Sequence, residues 1–373
     1  SHSLRLVESQ LFPTGNLYST YGDELCSKTD VVWFGALVTP MVLSVVIVLS
    51  LVGNLLVLVI LARYEHLRSM TNAFMMNLAL SDLVFTCGLP FWVSYHLSGW
   101  SYGDLTCKAV SFLFYAGYYS SGIFLILMTL HRYLAVLRPL SRLVSGPSRS
   151  QGTWSAVVSL VVWTVSLLAA MPALIFTKLI ITDSNDLKDL LDHNNPDGPN
   201  VSWRLWGVYQ QNILFIVTLL VVCVCYSQIV VRLLRPRVRV RRQRSGGDSR
   251  SQRTARLVLG LVLVFFVGWA PYNVVIFLRT LVVASSSTPW EECGTSNTLD
   301  YSFYATRLLA FSYCCLNPLF YVFVGVKFRN HLKRMLKGCC HGVTVVNNNT
   351  NNSSVLYRSS RMTSQSSGEE FSL

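Results

Sequence analysis

Four polar residues stand inside long apolar stretches of the sequence: Asn54, Asp82, Ser121 and Asn317. A carboxylate within an apolar helix is costly unless it faces a polar interior, so Asp82 is the strongest candidate for a functional residue. The four residues stand at similar depth, and their oxygen atoms could together hold a sodium ion and water. The alternative is a hydrogen-bond cluster with a structural role only.

A second candidate site is the trio His131-Arg132-Tyr133, which ends an apolar run that begins near Val110 and precedes Pro139. A basic residue at the end of a membrane helix often has no role beyond placing its charged group at the membrane–water interface. Alternatively, Arg132 is a switch that neighbouring helices hold in one state and release to a cytoplasmic partner in another. The helices around both sites decide between these interpretations.

The whole chain is too apolar for a soluble protein. Apolar residues form 52% of the 373 residues and charged residues 13%. A bilayer core takes about 20 apolar residues per helix, and seven stretches are long enough: 33–61, 73–97, 109–137, 154–176, 205–234, 257–283 and 301–326. Since none shows period-2 alternation, we predict an all-α membrane protein, a seven-transmembrane helix bundle, and not a β-barrel.

Basic and acidic residues are divided unevenly between the two sides of this bundle. With the amino terminus outside, 23 of the 31 lysines and arginines lie on the inner side, and 13 of the 18 acidic residues lie on the outer side. The positive-inside rule therefore predicts an extracellular amino terminus. The net charge of +13 is then a topological signature and not evidence for nucleic-acid binding. A negative outer face would concentrate a basic ligand.

This topology divides the chain into four segments. We expect an acidic extracellular tail in 1–31, the bundle in 32–326, an amphipathic interfacial helix with a cysteine pair in 327–340 and a disordered Ser/Thr-rich cytoplasmic tail in 341–373. Tyr18 and Tyr21 lie close to acidic residues, a setting that suits sulfation; the alternative is plain exposed tyrosines. Asn200 begins an N-glycosylation sequon on the outer side.

Other function classes find little support in the residues. The polar segments contain no nucleophile triad, phosphate loop or metal cluster, so an enzyme is not indicated, and no cofactor is expected beyond a structural or allosteric sodium ion. A transporter or channel would predict several intramembrane charges or inverted repeats. Apart from Asp82 and Arg307 the spans carry few charges, and the sequence shows no repeat.

The order and spacing of several short motifs resemble rhodopsin-like (class A) G-protein-coupled receptors. These motifs are Gly53-Asn54, the helix with Asp82, Trp100 before Cys107, His131-Arg132-Tyr133, Trp163, Trp269-Ala270-Pro271 and Asn317-Pro318-Leu319-Phe320-Tyr321. Leu89-Pro90-Phe91-Trp92, Cys26 with Cys293, and Cys314-Cys315-Leu316-Asn317-Pro318 are similar to chemokine receptors. His131, Arg307 and residues 322–329 resemble the XC type of these receptors.

The resemblance implies a ligand and a pocket. The tail and outer loops would hold the folded body of a small basic chemokine, while its amino terminus enters the bundle. The matching pocket positions are Trp92, Phe114, Tyr115, Tyr118, Trp269, Tyr272, Tyr304 and Arg307. Aromatic residues at helical spacing are also typical of core packing. Most chemokine receptors resemble one another in having a glutamate where Arg307 stands, and an arginine favours an acidic or carbonyl-rich ligand group.

The resemblance also implies plasma-membrane signalling through a heterotrimeric G protein, of the inhibitory class, with calcium mobilisation and chemotaxis. The matching switch positions are His131, Arg132, Tyr133, Tyr226, Trp269, Pro271, Pro318 and Tyr321. His131 replaces the acid that restrains the arginine in most relatives, and an imidazole cannot form the same ion pair. Higher basal activity is one hypothesis; the alternatives are that His131 merely faces the interface, or that the chain is a chemokine scavenger without G-protein signalling.

Cysteines and modified residues complete these expectations. The resemblance implies a bridge from Cys26 to Cys293 and a second one from Cys107 to the second outer loop. Residues 177–203 contain no cysteine, so it stays open whether Cys107 is unpaired or bonds Cys26 or Cys293. Cys339 and Cys340 suit palmitoylation and contact with membrane lipids. Phosphorylation of the serine-rich tail would create an arrestin-binding strip.

Overall fold

The structure is a computed structural model, and it describes residues 29–65, 69–137, 149–176, 199–234, 247–284, 293–324 and 328–336. The described residues form seven long helices followed by a short one. The long helices are α1 (Thr29–Tyr64), α2 (Met70–Ser98), α3 (Gly103–Leu137), α4 (Arg149–Phe176), α5 (Pro199–Leu234), α6 (Gly247–Ala284) and α7 (Cys293–Val324). The short helix, α8, covers residues 328–336. The predicted all-α bundle with an amphipathic eighth helix is confirmed.

Six of the described helices, α1 to α6, are long and apolar enough to cross a membrane. The seventh carries Asp300, Arg307 and Asn317, which lower its hydropathy, and all three side chains are buried in the bundle. Its charge is therefore turned away from lipid, as a spanning helix requires. α7 begins eight residues before the predicted apolar stretch. Residues 293–300 are helical but mostly polar, so a search for apolar stretches does not include them.

α3 lies at the centre of the bundle. It packs against α2, α4, α5 and α6, while α1 contacts α2 and α7 and α6 contacts α5 and α7, so that the helices close a ring. Every residue from Phe114 to Gly122 is buried. A helix that is buried all round has neighbours on every side. α3 therefore connects the outer and inner ends of the molecule.

The approach of α2 to α3 depends on Gly117. A Cβ atom at this position would lie 2.9 Å from Phe85 Cβ and 3.0 Å from the carbonyl oxygen of Ser81. The first distance is shorter than real Cβ contacts and the second is tighter than most of them, so a side chain here would push the two helices apart. The close approach brings the polar residues of α2 against α3.

α8 is amphipathic, as its sequence predicts. Phe328 is buried, with its ring centroid 6.2 Å from that of Tyr321 at the inner end of α7. Arg329, Lys333 and Arg334 are exposed on the other side. A helix with one apolar face and one basic face suits the surface of a membrane.

Candidate functional site

The polar core of the bundle is built around Asp82, which is buried in α2. Its Oδ2 accepts a hydrogen bond of 2.8 Å from Asn317 Nδ2 in α7. Its Oδ1 lies 3.5 Å from the hydroxyl of Ser121 in α3, at the limit of a hydrogen bond. Two helices, α3 and α7, thus direct polar groups to the one carboxylate of α2. A carboxylate, a hydroxyl and an amide oxygen are the ligand types that a hard cation takes, so these three residues fit a sodium ion.

Asn54 lies beside this core and bonds to other groups. Its Nδ2 donates to the carbonyl oxygens of Cys314 at 2.9 Å and Ser50 at 2.9 Å, and lies 3.1 Å from the Ser50 hydroxyl. The Ser50 hydroxyl is also 2.6 Å from that of Thr86 in α2. Asn54 therefore connects α1 to α7, and the partners of its side-chain amide are Ser50 and Cys314 instead of Asp82.

The outer part of the bundle contains a buried arginine surrounded by aromatic rings. Arg307 in α7 is 0% exposed. Its guanidinium carbon lies 5.0 Å from the ring centroid of Trp92, 5.3 Å from that of Phe303 and 5.1 Å from that of Tyr304. The faces of aromatic rings attract cations, and the attraction grows when water is excluded. The rings therefore offset part of the cost of burying this charge.

His96, one turn after Trp92 in α2, completes the surroundings of Arg307. Its Nδ1 lies 2.8 Å from the carbonyl oxygen of Trp92, and its Nε2 lies 3.1 Å from Arg307 Nη2. A carbonyl oxygen only accepts, so Nδ1 carries the proton and donates it to Trp92. Nε2 then accepts from the guanidinium, which has donors only. His96 is thereby assigned as the neutral Nδ1–H tautomer, with its acceptor aimed at the arginine.

A second arginine stands near the first. Arg279 in α6 forms an ion pair with Asp300 in α7, at 3.3 Å between Nη2 and Oδ1. Its guanidinium carbon also lies 4.4 Å from the ring centroid of Phe303, the ring that Arg307 approaches. The outer ends of α6 and α7 are thus joined by an ion pair, and two cations contact one ring. Because Asp300 compensates Arg279, Arg307 supplies the net positive charge of this group.

Below the arginine, aromatic rings form a continuous cluster down to Trp269. The ring centroid of Phe311 lies 5.6 Å from that of Trp92 and 5.4 Å from those of both Phe85 and Phe114. Phe85 and Phe114 each lie 6.2 Å from Trp269. Edge-to-face contacts at these separations are favourable beyond the area that they bury. Packed aromatic rings therefore connect the side chains around Arg307 with Trp269 in α6.

The remaining predicted pocket residues pack around the same cluster. The ring of Tyr118 lies 4.4 Å from that of Trp269, and its hydroxyl donates to the carbonyl of Gln211 at 3.3 Å. Tyr115 contacts Phe114. Tyr272 lies 5.8 Å from Phe303 and 6.1 Å from Trp269. All of these side chains are buried, so each has a packing role whether or not it meets a ligand.

At the inner end, Arg132 is buried and its Nη2 donates a hydrogen bond of 2.6 Å to the hydroxyl of Thr71 in α2. The hydroxyl of Tyr133 donates to Oε1 of Gln228 in α5. Arg132 thus does not extend to the interface in this structure, contrary to the simple interfacial interpretation. The arginine is held by another helix, as a switch residue in its restrained state would be.

The other predicted switch residues lie near this end or within α6 and α7. His131, Tyr226 and Pro271 are half-buried, while Pro318 and Tyr321 are buried. Thr218 in α5 donates its hydroxyl to the carbonyl oxygen of Leu214, one turn earlier in the same helix, at 2.7 Å.

Several predicted sites lie outside the described part of the chain. They are Tyr18, Tyr21, Cys26, Cys339 and Cys340, together with the side chains of Asn200 and Cys293. Cys107 is buried at the outer end of α3. The expectations for sulfation, the bridge, glycosylation and palmitoylation therefore stay predictions.

Three residues of these sites were missed by the sequence reasoning: His96, Thr71 and Asp300. His96 follows Trp92 by four residues and so lies on the same helical face. Asp300 precedes Arg307 by seven residues, again on one face, and this spacing was a usable signal. Thr71 offered none, because its contact with Arg132 arises only when α2 packs against α3.

Comparison with known proteins agrees with this architecture. Residues 53–321 match the 7 transmembrane receptor (rhodopsin family). The chain is 40% identical over 304 residues to chemokine XC receptor 1 of Homo sapiens, covering 82% of this chain and 83% of the relative. It is 39% identical over 313 residues to chemokine XC receptor 1 of Mus musculus, covering 84% and 87%. It is 34% identical over 318 residues to C-C chemokine receptor type 1 of Homo sapiens, covering 84% of each.

The family match over residues 53–321 includes the polar core around Asp82, the surroundings of Arg307 and the inner end at Arg132. They show a multi-pass membrane protein from a family of signalling receptors and not of enzymes. The chain belongs to the rhodopsin family of seven-transmembrane receptors, in its chemokine-receptor branch.

Proposed function

We propose that this receptor binds a small basic chemokine of the XC type at its extracellular face and activates a heterotrimeric G protein of the inhibitory class. Calcium mobilisation and chemotaxis would follow in the cell. The proposal rests on the observation that two arginines are buried at opposite ends of the bundle, Arg307 at the outer end and Arg132 at the inner end. One lies where a ligand would enter, and the other where a cytoplasmic partner would dock. The XC receptors among the relatives support the choice of ligand.

Arg307 is the ligand-binding residue with the most specific chemistry. It already meets the rings of Trp92 and Tyr304 and the acceptor of His96, so it is preorganised at a fixed position. A carboxylate of the ligand would offer a stronger acceptor than the neutral imidazole because it is ionised, and a carbonyl group would offer an acceptor of the same neutral kind. A cationic ligand group would meet the charge of Arg307 and be repelled, whereas Arg279 is already paired with Asp300. The pocket therefore favours an anionic or carbonyl-rich segment of the chemokine.

The aromatic cluster offers a route from this pocket to α6. Trp92 contacts both Arg307 and Phe311, and Phe311 connects through Phe85 and Phe114 to Trp269. Packed interiors shift between discrete arrangements and do not deform continuously. A ligand that draws Arg307 from His96 would move Trp92 and bias the packing of Trp269. Pro271 next to it weakens the backbone bonding of α6, which suits a pivot there.

On the inner side we propose that Arg132, Tyr133, Tyr226 and Tyr321 exchange their contacts within the bundle for contacts with the G protein. The bond from Arg132 to Thr71 would be broken in this exchange. The basic residues of α8 would meet lipid headgroups, and a phosphorylated tail would recruit arrestin. This topology requires the amino terminus to lie outside the plasma membrane.

The polar core would bind a sodium ion in the unliganded receptor. Asp82 would supply the charge, and Ser121 and Asn317 would add neutral oxygen ligands. A bound cation would compensate the buried carboxylate and hold α2, α3 and α7 together. The ion would therefore favour the resting arrangement of the helices.

One observation favours a second candidate function, a chemokine scavenger. His131 stands beside Arg132 where an acidic residue would allow a salt bridge, so the resting state of the switch is built differently. A scavenger would bind and internalise chemokine without G-protein activation. An assay of G-protein activation distinguishes the two functions, because a signalling receptor responds to chemokine and a scavenger does not.

The test is calcium flux and inhibition of cAMP in cells that express the full chain and are exposed to XC-type and C-C-type chemokines. We expect a pertussis-toxin-sensitive response to an XC-type chemokine. Arg132→Ala should abolish the response and leave chemokine binding intact. Arg63 is an exposed basic residue at the inner end of α1, and Arg63→Ala should leave the response unchanged. Arg307→Glu should lower chemokine potency. Binding and uptake without any G-protein response would refute signalling and favour the scavenger.

A further inference from the structure

A buried carboxylate lies at the inner end of the bundle, far from the ligand pocket. Glu65 follows directly after α1 and is 8% exposed. Its Oε1 lies 3.3 Å from His331 Nε2 in α8, and its Oε2 lies 3.4 Å from Asn72 Nδ2 in the first turn of α2. One carboxylate therefore connects three helices. A buried charge with partners on two other helices restrains their relative positions.

The ring of His331 is held in place by a second contact. It stacks on Tyr64, the last residue of α1, with 5.1 Å between ring centroids and 20° between the ring planes. Phe328, one turn earlier in α8, is buried near Tyr321. We call the group Tyr64, Glu65, Asn72 and His331 the inner clasp. It fixes α8 against the end of α1.

The first turn of α2 depends on side chains from other helices. Ser69, the residue before this helix, makes no side-chain capping bond. Such a cap normally stabilises a helix by satisfying an amide of its first turn. Here Asn72 is bonded to Glu65, and the carboxylate of Glu65 near the amino-terminal end of α2 is favourable to the helix dipole. The inner clasp therefore holds the first turn of α2 through a side chain and through the helix dipole, without a capping bond to a backbone amide.

Thr71 stands next to Asn72 in this turn, and it accepts the hydrogen bond of 2.6 Å from Arg132. Thr71 is 2% exposed, so the bond is shielded from water. Two adjacent residues of α2 thus contact different helices. Asn72 contacts Glu65 after α1, and Thr71 contacts Arg132 in α3. A shift of the turn would change both contacts together.

We propose that the inner clasp positions Thr71 and thereby restrains Arg132, in a chain whose His131 cannot supply a salt bridge to that arginine. Glu65 and His331 are then positioning residues that act through Asn72 and Thr71. Opening of the clasp releases the first turn of α2 and weakens the bond that keeps Arg132 within the bundle. The proposal rests on the proposed coupling role of Arg132.

The test measures ligand-independent nucleotide exchange on an inhibitory-class G protein by the full receptor in nanodiscs. Thr71→Val removes the hydroxyl at nearly constant shape and should raise the basal rate roughly fivefold, the effect of losing one net hydrogen bond. Thr71→Ser keeps the hydroxyl and should restore the parent rate. Glu65→Gln and His331→Leu should raise the basal rate in the same direction. Asn330→Ala, exposed on α8, is the matched control and should leave it unchanged.

Two further measurements separate positioning from a general loss of stability. The double variant Thr71→Val with Glu65→Gln should be no more active than Thr71→Val alone, because both changes act on one contact. Hydrogen–deuterium exchange should become faster in α8 and in the first turn of α2 for Glu65→Gln, and should be unchanged in α4. An unchanged basal rate in Thr71→Val, or additive effects in the double variant, would overturn the proposal.

The exchange measurement also distinguishes failure of this proposal from failure of the proposed function. If the parent receptor does not activate the G protein even with an XC-type chemokine, G-protein coupling is refuted. Faster exchange of the first turn of α2 in Glu65→Gln still supports the positioning role of the inner clasp in that case. Unchanged exchange there overturns it.

Discussion

The side-chain amide of Asn54 in α1 donates a hydrogen bond of 2.9 Å to the carbonyl oxygen of Cys314 in α7. That carbonyl lacks its usual helical donor, because the residue four positions later is Pro318 and has no backbone N–H. Ser50 adds a second donor at 3.3 Å. Inside a bilayer no water can replace the missing bond, so another helix must satisfy it. α1 thus compensates for the proline of α7.

Asn54→Ala should therefore destabilise the receptor by about 1–3 kcal/mol, because it leaves a buried carbonyl with one weaker partner. The measurement is thermal unfolding of the purified protein in detergent. Leu55→Ala is a suitable control, since the neighbouring side chain is exposed on the lipid side of α1. Equal melting temperatures for the two variants would contradict the role assigned to Asn54.

Gly53 explains why α1 comes close enough for this bond. A Cβ atom at Gly53 would lie 2.7 Å from Pro318 Cβ, whereas one at Gly122 would lie 3.5 Å from Leu214 Cδ2, an ordinary contact. Gly53→Ala should destabilise the receptor by about 1–3 kcal/mol through overpacking. Gly122→Ala should be neutral or stabilising, because alanine favours a helix by about 1 kcal/mol over glycine. Thermal unfolding of the two variants checks the contrast, and the reverse order would contradict it.

The polar core was largely predictable from the sequence. A single aspartate in an apolar helix must find polar partners, and few polar residues stand at comparable depth, so Ser121 and Asn317 were expected near Asp82. The structure places both within hydrogen-bond distance. Asn54 was expected in the same group and instead bonds to Cys314. Its partner is a backbone atom, which has no signature in residue types.

The residues that the sequence did not reveal share a physical reason. His96 and Glu65 stand near helix ends, where polar residues ordinarily face water or lipid headgroups. Only the packing of α7 against α2 buries His96 beside Arg307, and only the return of α8 to α1 buries Glu65 beside His331. Helical spacing shows that His96 shares a face with Trp92, but the partners on other helices are decided by long-range helix packing, which local patterns do not record. The helices themselves were predictable because hydropathy alone specifies them.

His96 should matter for ligand binding through its effect on Arg307. His96→Leu removes the acceptor for Arg307 Nη2 and should reduce chemokine potency about tenfold, equivalent to 1.4 kcal/mol. His96→Gln keeps a carbonyl oxygen as acceptor and should retain most of the potency. Leu97→Ala, the next residue and exposed, is the control. The measurement is competition binding of labelled chemokine at equal surface expression, and equal potency for all three variants would refute the contact's role.

The proposed sodium site predicts a salt-specific stabilisation. A cation that binds only the folded receptor raises its stability by about 1.4 kcal/mol when its concentration is tenfold above the dissociation constant. The melting temperature should therefore be higher in sodium chloride than in choline chloride at equal ionic strength. Asp82→Asn removes the anionic ligand and should abolish the difference, and Ser121→Ala should reduce it. In choline chloride Asp82→Asn should melt no lower than the parent, because an uncompensated buried carboxylate is itself destabilising. If Asp82→Asn lowered the melting temperature equally in both salts, the carboxylate would act through its bond to Asn317 and not through sodium.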